Sequence, residues 1–182
     1  MQTLPTTLQG VLLIEPSVVS DARGFFVETF SRERYGRLGI ADEFVQDNQS
    51  RSVAGTIRGL HFQQHPGQAK LVRVARGRVW DVVVDLRRSS PTFGRHEAFE
   101  LDDVGHRQVY VPIGFAHGFC ALSDVADVAY RVTSIYDVDA ERGVAWDDPE
   151  LEIAWPIRDP VLSARDRGLP HLREIKDSLP DW

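Results

Sequence analysis

The chain has a single cysteine, Cys120, among its 182 residues. That excludes an intrachain disulfide framework and any zinc site built on several thiolates. It also lacks an excess of positive charge. Lys and Arg number 21 against 27 Asp and Glu, a net charge of −6. A general nucleic-acid binder needs a basic footprint that this balance does not supply, so no nucleic-acid partner is expected. No apolar run approaches the ~18 residues of a membrane span. The segment Met1 to Pro16 carries no basic stretch and only the short apolar run Val11–Ile14. Neither a signal peptide nor a membrane partner is expected, and the default compartment is the cytoplasm. No internal repeat, low-complexity tract or Gly-rich phosphate loop is present, so any bound phosphate must be met by side chains.

What is there is the composition of an ordinary globular chain, 42% hydrophobic and 26% charged. The length suits one domain at ~100–200 residues per domain, so residues 1–182 are expected to form a single unit. The Pro-rich segment from Pro156 to Trp182 reads as an extension packed on it. Short apolar runs punctuated by turn residues dominate. Val11–Ile14, Leu71–Val74, Val79–Leu86, Ala98–Leu101, Gln108–Val111 and Val128–Ser134 read as strands. In the third of these, Trp80, Val82, Val84 and Leu86 share one register and Asp81 and Asp85 the other. Helix signals are few: a short helix capped by Ser31, another opened by Ser163, and helical turns near the end. Many short strands at regular spacing predict an all-β sandwich or barrel.

One segment concentrates chemistry. In Arg58-Gly59-Leu60-His61-Phe62-Gln63, the period of two puts His61 and Gln63 on one side of a strand, and Lys70 opens the next. A His titrates near neutral pH and can take a proton, and a buried ammonium can stabilise charge growing on an oxygen. On this segment alone the plainer reading is slightly favoured: His61 hydrogen-bonded in the core and Lys70 reaching to the surface.

A second segment shifts the balance. Pro112-x-Gly114-x-x-His117 resembles the second motif of the cupin superfamily, a small jelly-roll barrel. The first cupin motif has His-x-His, then a Glu seven residues before a Gly. Here the pair is His61-x-Gln63, and Lys70 stands seven residues before Gly77. Two metal-ligand positions thus carry an amide and a cation, and two histidines are too few for a firm site, so no metal is expected.

The match then becomes specific. Asp21-Ala22-Arg23-Gly24-Phe25-Phe26-Val27-Glu28, Gln46-Asp47-Asn48, Arg58-Gly59-Leu60-His61-Phe62-Gln63, Gln68-Ala69-Lys70, Trp80-Asp81, Gly114-Phe115-Ala116-His117, Tyr130, Tyr136 and Leu162-Ser163-Ala164-Arg165-Asp166 stand in order along nearly the whole chain. This series resembles the dTDP-4-dehydrorhamnose 3,5-epimerases and related dTDP-4-keto-6-deoxysugar epimerases. The resemblance implies a double-stranded β-helix jelly roll and epimerisation at the carbons flanking a C4 ketone, with no cofactor. It implies His61 as base, Tyr130 as acid, Lys70 beside the ketone oxygen and Asp166 as the carboxylate orienting His61. With no Gly-rich loop to meet a diphosphate, Arg23 and Arg58 are the best candidates for it, since a guanidinium binds phosphate oxygens in pairs. Glu28, Gln46, Asp47, Asn48, His117 and Glu141 are implied along the substrate, with Gln63 among them and Tyr136 stacked on thymine. Arg165 stands where the family has a lysine, which keeps the charge and changes the geometry. It further implies a homodimer with exchanged N-terminal strands, in which Arg23 and Phe26 serve the neighbouring site.

Plainer readings exist for several of these. Tyr130 alone suits a half-buried strand tyrosine. Asp166 suits the first turn of a helix opened by Ser163. Glu28 and Gln46–Asn48 taken singly suit turns or surface, and Phe26, Phe30, Phe115 and Phe119 suit the core. Competing functions are an epimerase acting at C3 or C5 alone, a metal-dependent cupin enzyme, and a non-catalytic sugar-binding cupin.

Overall fold

Thirteen strands carry the fold in a computed structural model that describes residues 1–182. They are β1 (Gln2–Leu4), β2 (Leu12–Glu15), β3 (Val18–Asp21), β4 (Gly24–Val27), β5 (Gln46–Val53), β6 (Ile57–Gln63), β7 (Lys70–Arg76), β8 (Arg78–Asp85), β9 (His96–Asp102), β10 (Gln108–Val111), β11 (Phe115–Ala121), β12 (Val125–Val132) and β13 (Glu141–Gly143). Three short helices join them: α1 (Arg32–Arg37), α2 (Ala164–Arg167) and α3 (Leu172–Ile175). The main sheets are β1-β2-β10-β7-β12-β5 and β13-β6-β11-β8-β9, and β3 and β4 form a separate hairpin. All strand pairs in them are antiparallel. This is the all-β fold the strand pattern predicts and the jelly roll the family resemblance implies.

Strand alternation sorts the side chains into three apolar layers. Val72 and Val74 of β7, Val79 and Val83 of β8, Phe115 and Phe119 of β11 and Val128 of β12 meet in one cluster between the sheets. The opposite registers of β6, β8 and β11 put Leu60, Val82, Val84 and Ala116 in a second cluster. The chain after Val144 covers that face with Leu151, Leu172, Leu179 and Trp182. Over the other sheet, Tyr35 of α1 packs on Ile14, Leu71 and Tyr110. Each fully buried Val or Leu contributes about 1.5–3 kcal/mol, so both faces of each sheet add to stability.

Helix signals were few but well placed. Ser31 caps α1, its Oγ accepting the Arg34 N–H, and Ser163 caps α2, accepting the Asp166 N–H. Two readings are corrected, both beside elements that were not among the strands read from the sequence. The hairpin β3–β4 carries no apolar alternation against a core, because its faces are exposed. Phe26 is therefore not a core residue: it is 72% exposed, whereas Phe115 and Phe119 are buried and Phe30 is half-buried against Tyr35 and Phe44. Gln46–Asn48 is no turn but the start of β5, whose hydrogen bonds to β12 override its polar composition.

Two glycines shape the centre of the five-stranded sheet. Gly59 on β6 has φ +119°, and a Cβ there would lie 2.6 Å from the Gly118 Cα of β11. A Cβ on Gly118 would in turn lie 2.6 Å from the Arg58 carbonyl oxygen. The two backbones close on each other, the register shifts between His117 and Phe119, and His61 comes to stand opposite His117.

Candidate active site

The two sheets enclose a cavity of about 440 Å³. Each wall contributes side chains from several of its strands. From the five-stranded sheet come Arg58, His61 and Gln63 of β6, His117 of β11 and Glu141 of β13. From the six-stranded sheet come Gln46 and Asn48 of β5, Lys70 of β7 and Tyr130 of β12. Tyr136, on the loop between β12 and β13, and Arg165 and Asp166 of α2 complete the lining.

His61 is held by a carboxylate on one nitrogen. Its Nε2 lies 2.6 Å from Asp166 Oδ1, which leaves Nδ1 toward the cavity, 3.9 Å from Glu141 Oε1. The α2 cap is what aims Asp166: Ser163 Oγ accepts the Asp166 N–H at 3.0 Å while the side chain turns inward. Burial pushes the Asp166 carboxyl up. The bond and charge of His61, the Ser163 hydroxyl and the Arg165 guanidinium outweigh that and hold it below the usual carboxylate range.

Lys70 is buried, and its Nζ donates to the His61 carbonyl at 3.3 Å. Desolvation lowers its pKa from 10.5 to about 8, against the opposing pull of the Glu141 and Asp81 carboxylates. Burial, then the Glu141 charge, raise the Tyr130 phenol above its ordinary value. It therefore stays protonated at neutral pH and can donate.

A second imidazole–carboxylate pair lies deeper. His117 Nε2 is 2.8 Å from Asp81 Oδ2, with Asp81 fully buried and its Oδ1 without a partner. The register that the sequence splits in β8 explains the placement. Trp80, Val82 and Val84 face the C-terminal cover, and Asp81 faces the interior. Asp81 was missed as a site residue; an acid on one register of an otherwise apolar strand was the available signal. At the mouth, Glu141 accepts from the Tyr136 hydroxyl at 2.7 Å and from Arg165. Bonding to Glu141 raises the Tyr136 phenol in turn. Buried acid–base groups, a buried cation and a polar rim in one cavity suit proton transfer next to a carbonyl.

The sequence profile described as dTDP-4-dehydrorhamnose 3,5-epimerase matches residues 5–174. The chain belongs to this epimerase family. The dTDP-4-dehydrorhamnose 3,5-epimerase of Methanothermobacter thermautotrophicus is 46% identical, the match covering 94% of each chain. A dTDP-4-dehydrorhamnose 3-epimerase of Streptomyces niveus is 44% identical over 100% of this chain and 90% of its own. The crystal structure of the Legionella pneumophila epimerase, in complex with dTDP-4-keto-L-rhamnose, superposes with a TM-score of 0.96 at 44% identity, covering 100% of this chain and 98% of that one.

Four of the residues that the family resemblance points to lie away from the cavity of their own chain. Asp47 alternates with Gln46 and Asn48, so its side chain leaves on the opposite face of β5 and pairs with Arg131 at 3.2 Å. Arg23 and Phe26 stand on the exposed hairpin, Arg23 paired with Asp21, and Glu28 pairs with Arg34 at 3.5 Å. Gln68 and Ser50 line the cavity and were missed; Gln68 sits two residues before Lys70. No helix is long and apolar enough to cross a membrane.

Proposed function

We propose that the chain epimerises dTDP-4-dehydro-6-deoxy-D-glucose at C3 and C5 to dTDP-4-dehydro-L-rhamnose. The observation that carries this reading is the placement of His61 and Tyr130 on facing sheets of one cavity with the buried Lys70 between the same walls. The hydrogens on C3 and C5 are α to the C4 ketone. His61 Nδ1 removes one as a proton, and the C–H electrons move into an enolate whose oxygen carries the charge. The Lys70 ammonium stabilises that oxyanion; a donor of this kind is worth ~10²–10³-fold in rate. Tyr130 returns a proton from the opposite sheet, which inverts the carbon. Asp166 fixes the His61 tautomer and stabilises the imidazolium once formed. No electrons leave the substrate, so the reaction needs no redox partner.

Arg58 suits the diphosphate, since a guanidinium meets phosphate oxygens in pairs. Tyr136 and Glu141 suit the nucleotide end, with Gln46, Asn48 and His117 along the substrate. We also propose a homodimer, with Arg23, Phe26 and Glu28 reaching the neighbour's cavity. In support, Val19 and Phe26, cross-strand partners on β3–β4, are exposed apolar side chains on a hairpin that has no core of its own.

Proton NMR of dTDP-4-keto-6-deoxyglucose with the enzyme in D₂O, coupled to a 4-ketoreductase that traps products, tests the reading. Deuterium at both C3 and C5 with an L-rhamno product is expected. Exchange and inversion at one carbon only would make the chain a single-centre epimerase, and absence of any exchange would make it a binder.

A further inference from the structure

The segment Thr133–Ala140 joins β12 to β13 without strand or helix of its own, yet it brings Tyr136 and Glu141 to the cavity. Main-chain bonds hold its two ends, Thr133 to Ala69 and Gln64 to Ala140, and between them its main chain hangs on side-chain amides. Gln68 donates to the Ser134 carbonyl at 2.9 Å and to its hydroxyl at 3.3 Å. Gln46 Oε1 accepts the Tyr136 N–H at 3.0 Å. Gln63, with its amide oriented to satisfy both ends, donates to the Asp137 carbonyl at 3.1 Å and accepts the Asp137 N–H at 3.0 Å.

Asp137 is the anchor of this segment. Its carbonyl also takes the Glu141 N–H at 3.0 Å, which closes a turn ending on the glutamate that meets His61, Tyr136 and Arg165. Its carboxylate accepts the Asp139 N–H at 2.9 Å inside the same turn. Gln63 is the cross-strand partner of Glu141 in the β6–β13 pair, so one residue grips the turn at both its first and last positions. Gln63 is buried, so these bonds do not compete with bulk water. The chemistry requires an amide. Only a planar group with a donor and an acceptor side by side answers one residue's N–H and C=O together; a carboxylate lacks the donor, and an imidazole has the wrong spacing.

We infer that Gln63 and Gln68 are positioning residues that suspend the 133–140 segment and so set the stance of Tyr136 and Glu141. Their effect falls first on capture of the nucleotide end of the substrate and reaches proton transfer only through Glu141, 3.9 Å from His61. Gln63 stands where related barrels place a metal ligand, but both ends of its amide are spent on the chain itself. The identity of the ligand rests on the epimerase reading above; the suspension of the segment does not.

Gln63→Met keeps length and burial while removing donor and acceptor. Three measurements test it: calorimetric titration with dTDP alone, epimerase kcat and KM, and mass-spectrometric hydrogen exchange of the peptide spanning 133–141. The dTDP Kd and the KM should each rise about tenfold, as loss of two hydrogen bonds implies. The kcat should stay within about threefold, and the peptide should exchange at least about tenfold faster. Gln68→Met should shift the same quantities in the same direction. Unchanged dTDP affinity with unchanged exchange overturns the inference. So does a fall in kcat at constant Kd, which would put Gln63 on the sugar. If Gln63→Met does not fold, Gln68→Met decides by the same criteria. A wild-type protein that fails to bind dTDP overturns the epimerase reading instead, and the exchange rates still decide the role of Gln63.

Discussion

His61 gives its Nε2 to Asp166 at 2.6 Å, so the nitrogen that faces the cavity is Nδ1. The bond runs from a strand in the middle of the chain to a one-turn helix 105 residues later. Asp166→Asn preserves the shape of the contact but removes the charge that favours imidazolium. The expected result is a kcat lower by about 10²- to 10⁴-fold with KM nearly unchanged, the size of a lost acid–base contribution. Steady-state kinetics through the coupled reductase checks it. A full-rate Asp166→Asn enzyme would remove Asp166 from the reaction.

Tyr130 and His61 face each other from different sheets, so their losses should differ in kind. His61→Ala should abolish deuterium exchange at both carbons, because no proton can leave. Tyr130→Phe should still exchange deuterium through His61 and solvent while inverting poorly, because the proton returns to the face it left. The ratio of exchange to inversion, read by NMR, separates the two roles. Tyr130→Phe that epimerises at the normal rate refutes the acid assignment.

Lys70 predicts two opposite pH effects from one lowered pKa. On the proposed mechanism the reaction needs the ammonium, which is lost as pH rises through about 8. The kcat/KM should therefore fall about tenfold per unit above that pH, and Lys70→Met should lose both most of the rate and this limb. Stability runs the other way. Between about 8 and 10.5 the unfolded chain holds a proton that the native chain has released, so unfolding free energy rises with pH across that window. Below about 8 the buried charge costs the fold of order 3 kcal/mol. Lys70→Met should be more stable than wild type at pH 7, and the difference should shrink toward pH 10.5. Urea melts of both proteins at several pH values measure it.

Much of this site was legible because strand alternation is a strict rule. Given His61 on a strand, Gln63 had to share its side, and Ser163 before an acidic first turn marked α2, while the role of Asp166 came from the family resemblance. Short apolar runs and turn residues gave an all-β sandwich or barrel, and the family resemblance narrowed it to a jelly roll. What alternation cannot say is which face of a strand looks inward when both are covered. In β8 the apolar register packs under the C-terminal cover, and Asp81 turns to the interior, a distinction made by residues after Val144 that lie far along the chain. Gln46–Asn48 was opaque for a related reason, since its strand is specified by the ladder to β12 and not by its own polar side chains. Asp47 then falls on the far face by the same period of two that brings Gln46 and Asn48 in.

The hairpin β3–β4 offers the sharpest test of the proposed dimer. Arg23 is 90% exposed at its side chain and stands outside its own chain's cavity. If it serves a neighbour, two dead enzymes should repair each other. An Arg23→Ala subunit retains its own His61, and a His61→Ala subunit lends it an intact Arg23, so each mixed dimer holds one complete site. Random reassortment makes half the dimers mixed, each with one site of two, so about a quarter of wild-type activity should return. The mixing is done after mild denaturation and refolding, with each variant refolded alone as the control, and light scattering gives the oligomeric state. Activity that stays at the level of the separate variants would place Arg23 in its own chain's function or in none, and a monomer by light scattering would remove the neighbour altogether.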